Sequence, residues 1–246
     1  MKLHIAQPEP DSEYSGILER ANQAFTLAQC AAGETAVVLA TDSEGALQKV
    51  ERCERDLDRI DRETDASIAS AIAGARQSES RDLLACLKFI IDLERIGDLL
   101  SSVATCGRSL GPRLTMDDMT DLLRMCCIVE RMTADAQRAY SERNVNQALE
   151  VLRLDGELDR LRNVMLCRHL ERAQFVISSD TVKVLFMAQS LERAGDHVKN
   201  VAEEICHLVS GHTIRHLIRS MDRPSEQIHL NWNGSSLQSG AEALAR

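Results

Sequence analysis

LKFIIDLERIGDLLSSVA, residues 87–104, and LFMAQSLERAGDHVKNVA, residues 185–202, decide how this chain is read. At a constant shift of 98 they are identical at Leu87/Leu185, Leu93/Leu191, Glu94/Glu192, Arg95/Arg193, Gly97/Gly195, Asp98/Asp196, Val103/Val201 and Ala104/Ala202. Self-similarity at a fixed offset marks an internal duplication, one supersecondary unit written twice. On a helix Glu94 and Asp98 stand about 40° apart, and Phe89, Leu93, Ile96, Leu100 and Val103 gather on the other side. In the second copy Glu192 and Asp196 oppose Met187, Leu191, Ala194, Val198 and Val201 in the same way.

Upstream of each copy lies a second acidic helix. Glu54-Arg-Asp-Leu-Asp58-Arg-Ile-Asp61 matches Asp155-Gly-Glu-Leu-Asp159-Arg-Leu-Arg162 at a shift of 101, so a small indel separates the repeats. Glu54, Asp58, Asp61 and Asp65 recur at i, i+4, i+7 and i+11 and flank the stripe Leu57, Ile60, Thr64, Ile68. They therefore border the neighbouring helix.

Between the halves, Gly107-Arg-Ser-Leu-Gly111-Pro112 reads as a helix stop, and Thr115-Met-Asp-Asp118 as the capping box of the next helix. The expected architecture is all-α, two tandem pseudo-symmetric three-helix bundles of six long antiparallel helices, over 14–41, 43–74, 79–109, 115–142, 144–176 and 179–212. The first unit spans 14–110 and the second 115–212. Asp42-Ser43, Ser78, Asn144 and Ser178-Ser179 supply the N-caps. From Arg223-Pro224 the chain is rich in Ser, Gly and Asn and carries the lone Trp232, so 223–246 reads as a mobile tail.

Composition agrees with helices. Aromatic residues make up 3% of the 246, prolines number 4, and the β-branched alternation of strands is scarce. With 29 basic against 38 acidic residues the formal charge is −9, which argues against nucleic acid as the main ligand. The first residues carry no basic segment followed by an apolar run, and no apolar stretch nears the ~20 residues that span a bilayer, so a cytoplasmic location is expected. Eight scattered cysteines form no C-x-x-C pair and read as reduced thiols serving as small hydrophobes.

Carboxylates crowded on one stripe repel, and spacing alone leaves two ways to compensate them. Interleaved Arg55, Arg59, Arg62 and Arg95 make a solvated, salt-bridged face; alternatively an all-oxygen site takes a hard cation. A carboxylate di-iron enzyme needs facing Glu-x-x-His motifs. Here Glu204 with His207 stands alone on a helix, Glu226 with His229 lies in the tail, and His212 and His216 read as charge placement at a helix end. No nucleophile elbow, phosphate loop or nucleotide fingerprint occurs, so no enzyme is expected.

Asp92-Leu-Glu-Arg-Ile-Gly-Asp98 and Ser190-Leu-Glu-Arg-Ala-Gly-Asp196, each preceded by an acidic helix, closely resemble the paired signature of PhoU proteins, over about residues 14–212. The resemblance implies two three-helix bundles and multinuclear metal clusters on E/D-x-x-x-D motifs. Carried over, these are Glu54 with Asp58, Asp61 with Asp65, Glu94 with Asp98, Asp155 with Asp159, and Glu192 with Asp196. The implied ions are divalent or trivalent: iron, zinc, manganese, magnesium or calcium. It further implies a homodimeric negative regulator that couples a phosphate ABC transporter, through its ATPase, to a phosphate-sensing histidine kinase and meets the membrane only through those partners. A metal-free adaptor docking basic partner surfaces is the rival. Arg162 and Leu166 replace Asp61 and Asp65 in the second repeat, which offers fewer ligands there, and Gln77-Ser-Glu-Ser-Arg81 departs from the family's turn before the third helix.

Overall fold

The computed structural model describes residues 10–172 and 178–210. These residues form α1 (Pro10–Thr41), α2 (Glu44–Gly74), α3 (Gln77–Leu110), a 3-10 turn (Gly111–Arg113), α4 (Met116–Glu142), α5 (Val145–Arg172) and α6 (Ser179–Ser210), with no strand among them. The expected tail from 223, the ends of the fifth and sixth helices, and His212, His216 and His229 lie outside the described residues.

Most helix starts follow the expected chemistry. Ser43 Oγ accepts from the Ala46 N–H (3.3 Å), Thr115 Oγ1 from Asp118 N–H (3.2 Å), Asn144 Oδ1 from Gln147 N–H (3.3 Å) and Ser178 Oγ from Thr181 N–H (3.0 Å). The third helix departs. It begins at Gln77, and Ser78 lies inside it, because the Glu79 carboxylate turns back to accept from the Arg76 backbone N–H (2.8 Å) and guanidinium. Gly111, at φ 51°, adopts a backbone that an L side chain resists and turns the chain into Pro112.

α2 packs on α1 and α3, and α5 packs on α4 and α6, while α3 meets α6, and α4 meets both α1 and α6. An inner layer of α1, α3, α4 and α6 thus carries an outer helix on each half. All lie within one compact unit. Phe25, Phe89 and Tyr140 join the halves as an aromatic trio, with centroids 5.2 to 6.3 Å apart, and the Tyr140 hydroxyl meets the Cys86 sulfur at 3.2 Å. α1 touches three neighbours and is apolar on more than one face. Over Glu13–Thr41 it is long and apolar enough by composition to cross a membrane, contrary to the reading of the bare sequence, yet Ile17, Ala21, Ala24, Phe25 and Ala28 are fully buried in the bundle. The cysteines divide: Cys53, Cys86, Cys126 and Cys206 are buried as expected, but Cys30, Cys127 and Cys167 are exposed because their helix positions face outward.

The two outer helices come close to their partners at a glycine. A Cβ on Gly97 would stand 2.6 Å from Leu57 Cδ1 and 3.8 Å from the Glu54 Cα, and one on Gly195 would run into Leu158 Cδ1. Leu57 and Leu158 are core residues, at 1% and 0% exposure, so neither has room to swing away. Gly97→Val and Gly195→Val are therefore expected to cost about 1–3 kcal/mol each in urea unfolding. In a double-mutant cycle, Gly97→Val combined with Leu57→Ala should cost less than the sum of the single changes. Variants as stable as the parent, or strict additivity, would contradict this packing.

Candidate functional site

Because the glycines let α2 approach α3, and α5 approach α6, the carboxylates of each helix pair are brought within reach of one another. On the first face Leu57, Ile60 and Thr64 are buried, while Glu54, Asp61 and Glu94 are half-buried at the seam and Asp65 is exposed. Burial raises the Glu54 carboxyl above its usual range, with Asp98 and Asp58 adding to it. Asp61 is raised first by burial and then by Asp65 and Asp58, and Glu94 by burial and then by Asp98. Glu54, Asp61 and Glu94 are thus each raised by burial first and by neighbouring carboxylates of the same face second.

Compensation on the first face is thin. Exposed Arg95 reaches Glu94 (3.4 Å) and Asp98 (3.7 Å), and exposed Arg62 reaches Asp58 (3.0 Å). Asp61 Oδ1 is buried without a hydrogen-bond partner, as is Thr64 Oγ1 one turn on. An orphaned buried carboxylate oxygen is costly, and a cation is the partner that would relieve it.

The second face has the same backbone and a different charge account. Asp155 and Glu192 are buried, at 5% and 9% exposure, whereas Asp196 is exposed. The Arg162 guanidinium stands where Asp61 has its equivalent and pairs with Glu192 (3.4 Å) and Asp159 (3.9 Å). The Lys199 ammonium bonds Asp155. Burial works against the Lys199 charge, but the Asp155 hydrogen bond and the charges of Asp155, Asp196 and Asp159 prevail and hold its pKa up. Burial raises both Asp155 and Glu192, opposed by Lys199 and Arg162 respectively.

Glu54, Asp58, Asp61, Asp65, Glu94 and Asp98 thus gather on one face, and Asp155, Asp159, Glu192 and Asp196 on the other. As the side chains stand, no group of three or more His, Cys, Asp or Glu among the described residues is close enough to hold an ion. The first face nevertheless fits a hard cation by its oxygen-only donors and its orphaned Asp61 oxygen. The second does not, because two protein cations already fill it. Raised carboxyls also fix a sign: they bind protons more tightly in the fold than in the unfolded chain. Their contribution to stability is full below the unfolded pKa and is lost as pH rises through the raised values.

Three features escaped the sequence reading. Lys199 sits in the quoted motif, and its alignment with Ser101 was the signal that could have flagged a cation. Asp118, 1% exposed, accepts from Arg168 (3.1 Å) and lies 3.0 Å from His169 Nε2, tying α4 to α5. Asp92 meets His197 Nδ1 at 2.8 Å and Lys88 reaches Glu204 at 2.9 Å, two bridges from α3 to α6 that no local pattern announces.

Comparison with known proteins gives the arrangement a family. The PhoU domain model matches residues 23–106 and 122–205. The phosphate-specific transport system accessory protein PhoU homolog 1 of Thermotoga maritima is 28% identical over 193 residues, covering 76% of this chain and 83% of that protein. A PhoU homolog of Deinococcus radiodurans is 29% identical over 183 residues, covering 72% and 84%. The crystal structure of PhoU from Pseudomonas aeruginosa superposes with a TM-score of 0.72 at 25% identity, over 82% of this chain and 99% of that one. PhoU from Streptococcus pneumoniae, at 19% identity and the same TM-score of 0.72, shares the fold over 83% of this chain and 99% of its own. These relatives carry the names of regulatory and accessory proteins, not of enzymes. Matched twice, over well more than half its length and across both glycine-centred acidic faces, the chain belongs to the PhoU family.

Proposed function

We propose that this chain is a regulator of phosphate uptake: a helical adaptor, homodimeric and cytoplasmic, that holds metal on its first acidic face. In this reading it couples a phosphate ABC transporter, through its ATPase, to a phosphate-sensing histidine kinase and keeps the phosphate regulon silent when phosphate is plentiful. The phosphate side rests on relatives named as phosphate-specific transport system accessory proteins. The metal side rests on one observation above the others, the buried Asp61 oxygen without a partner, on a carboxyl raised by burial and by the neighbouring Asp65 and Asp58.

Glu54, Asp58, Asp61, Asp65, Glu94 and Asp98 would hold the ion, which could be iron, zinc, manganese, magnesium or calcium. Its role would be to neutralise the seam and fix the relation of α2 to α3. The protein residues do the rest: Leu57 against Gly97 sets the spacing, and Arg62 and Arg95 cap the outer rim. A metal-free adaptor that docks basic partner surfaces is the second reading, favoured by those same two arginines already lying on the face.

Deleting the gene in a strain without a paralogue should raise phosphate-regulon expression in phosphate-rich medium, as read by a reporter or by transcript levels. Unchanged expression would defeat the regulatory reading. Elemental analysis of protein purified without chelator separates the two forms of adaptor. Asp61→Ala with Asp98→Ala should strip most of the bound metal, whereas Asp159→Ala with Asp196→Ala should strip little. Equal loss from both, or none bound in the wild type, would count for the metal-free form.

A further inference from the structure

Cys30 on α1 is exposed, and Cys53 on α2 is buried at 5% exposure. The register of the two antiparallel helices places them face to face. Glu34 on α1 meets Lys49 on α2 at 2.6 Å, and stepping four residues back along α1 and four forward along α2 arrives at Cys30 and Cys53. Ten further residues along each helix lead to Arg20, whose guanidinium donates to the Glu63 carbonyl at 3.3 Å. Seven more lead to Glu13, which accepts from the Ser70 hydroxyl at 2.8 Å. Three contacts on one line, before and beyond the cysteines, hold the register on both sides.

Cys53 is walled off from solvent, and the Cys30 thiol lies within electrostatic reach of it. The Lys49 ammonium, bonded to Glu34, also lies within electrostatic reach of Cys30. A nearby cation and solvent access are what make a thiol reactive, whereas a buried thiol in apolar surroundings is inert until a partner sulfur is oxidised. The exposed member is thus placed to react first and the buried one to close the bond.

We propose that Cys30 and Cys53 form a peroxide-responsive dithiol site whose oxidation closes a reversible disulfide between α1 and α2. The Cys30 sulfur attacks one oxygen of hydrogen peroxide; the S–O bond forms, the O–O bond breaks, and the departing oxygen leaves as water with the thiol proton. The Cys53 sulfur then attacks the Cys30 sulfenic sulfur; the S–S bond forms, the S–O bond breaks, and a second water leaves with the Cys53 proton. Two thiols are oxidised and one peroxide is reduced to two waters. Cys53 precedes Glu54 in the chain, so the bond staples the acidic helix one residue from the first face. This inference stands on the α1–α2 register and not on the metal or phosphate reading.

The test uses the full chain, reduced, desalted and treated with hydrogen peroxide, then blocked with an alkylating reagent and digested for mass spectrometry. A Cys30–Cys53 cross-linked peptide is expected, two hydrogens lighter than the free pair and released by dithiothreitol. Cys30→Ser, at an exposed position, and Cys53→Ala should each abolish it. The wild type should melt higher when oxidised than when reduced, and neither variant should show that rise. If both thiols stay open to alkylation while exposed Cys127 or Cys167 is oxidised, or if Cys30 pairs only with another chain, the proposal is overturned.

Discussion

At residues 97 and 195 the space a side chain would take is filled from across the helix seam, by Leu57 in one half and Leu158 in the other. Each leucine is a buried knob seated on a bare stretch of helix backbone, and its cost of displacement is that of overpacking a full core. The contact draws α2 onto α3 and α5 onto α6 closely enough that the Glu54 Cα lies 3.8 Å from where a Gly97 Cβ would stand. Carboxylates spaced one turn apart on both helices are then forced toward one another. Desolvation and mutual repulsion follow, and the raised carboxyls at Glu54, Asp61, Glu94, Asp155 and Glu192 are their result.

Duplication gives the same constraint twice, and the halves answer it differently. Arg162 and Lys199 supply internal cations in the second half, buried enough to pair with Glu192 and Asp155 at the seam itself. The first half has Asp61 and Ser101 at those places, and its arginines sit outside on the rim, where pairing stabilises little. One scaffold therefore carries a face whose charge is settled by its own residues and a face whose charge is not. The division of labour is electrostatic; the backbone is shared.

Much of this is legible in the sequence. The repeat fixed the number of helices and their pairing, the hydroxyl and amide caps at Ser43, Thr115, Asn144 and Ser178 marked where they begin, and Arg162 signalled a cation within the second face. What escaped depends on more than one helix at a time. Glu79 displaced Ser78 because a longer side chain folded back on the backbone, a choice that propensity does not resolve. α1 is apolar on several sides because it touches α2, α3 and α4, and a window of sequence cannot distinguish three protein neighbours from lipid. Asp118 with Arg168, Asp92 with His197 and Cys30 with Cys53 are set by register between helices, which neither partner's sequence contains.

The first face lacks a cation that the second face carries in its own chain. The most direct measurement is the melting temperature of the metal-free Asp61→Arg variant beside the wild type, at neutral and at mildly acidic pH, with and without added manganese(II). The wild type should melt higher in mild acid and gain from manganese. The variant, with the second half's arginine moved into the first, should melt higher than the wild type at neutral pH without metal, respond less to acid and gain nothing from manganese. A variant that melts lower at neutral pH, or a wild type indifferent to both protons and manganese, would contradict it.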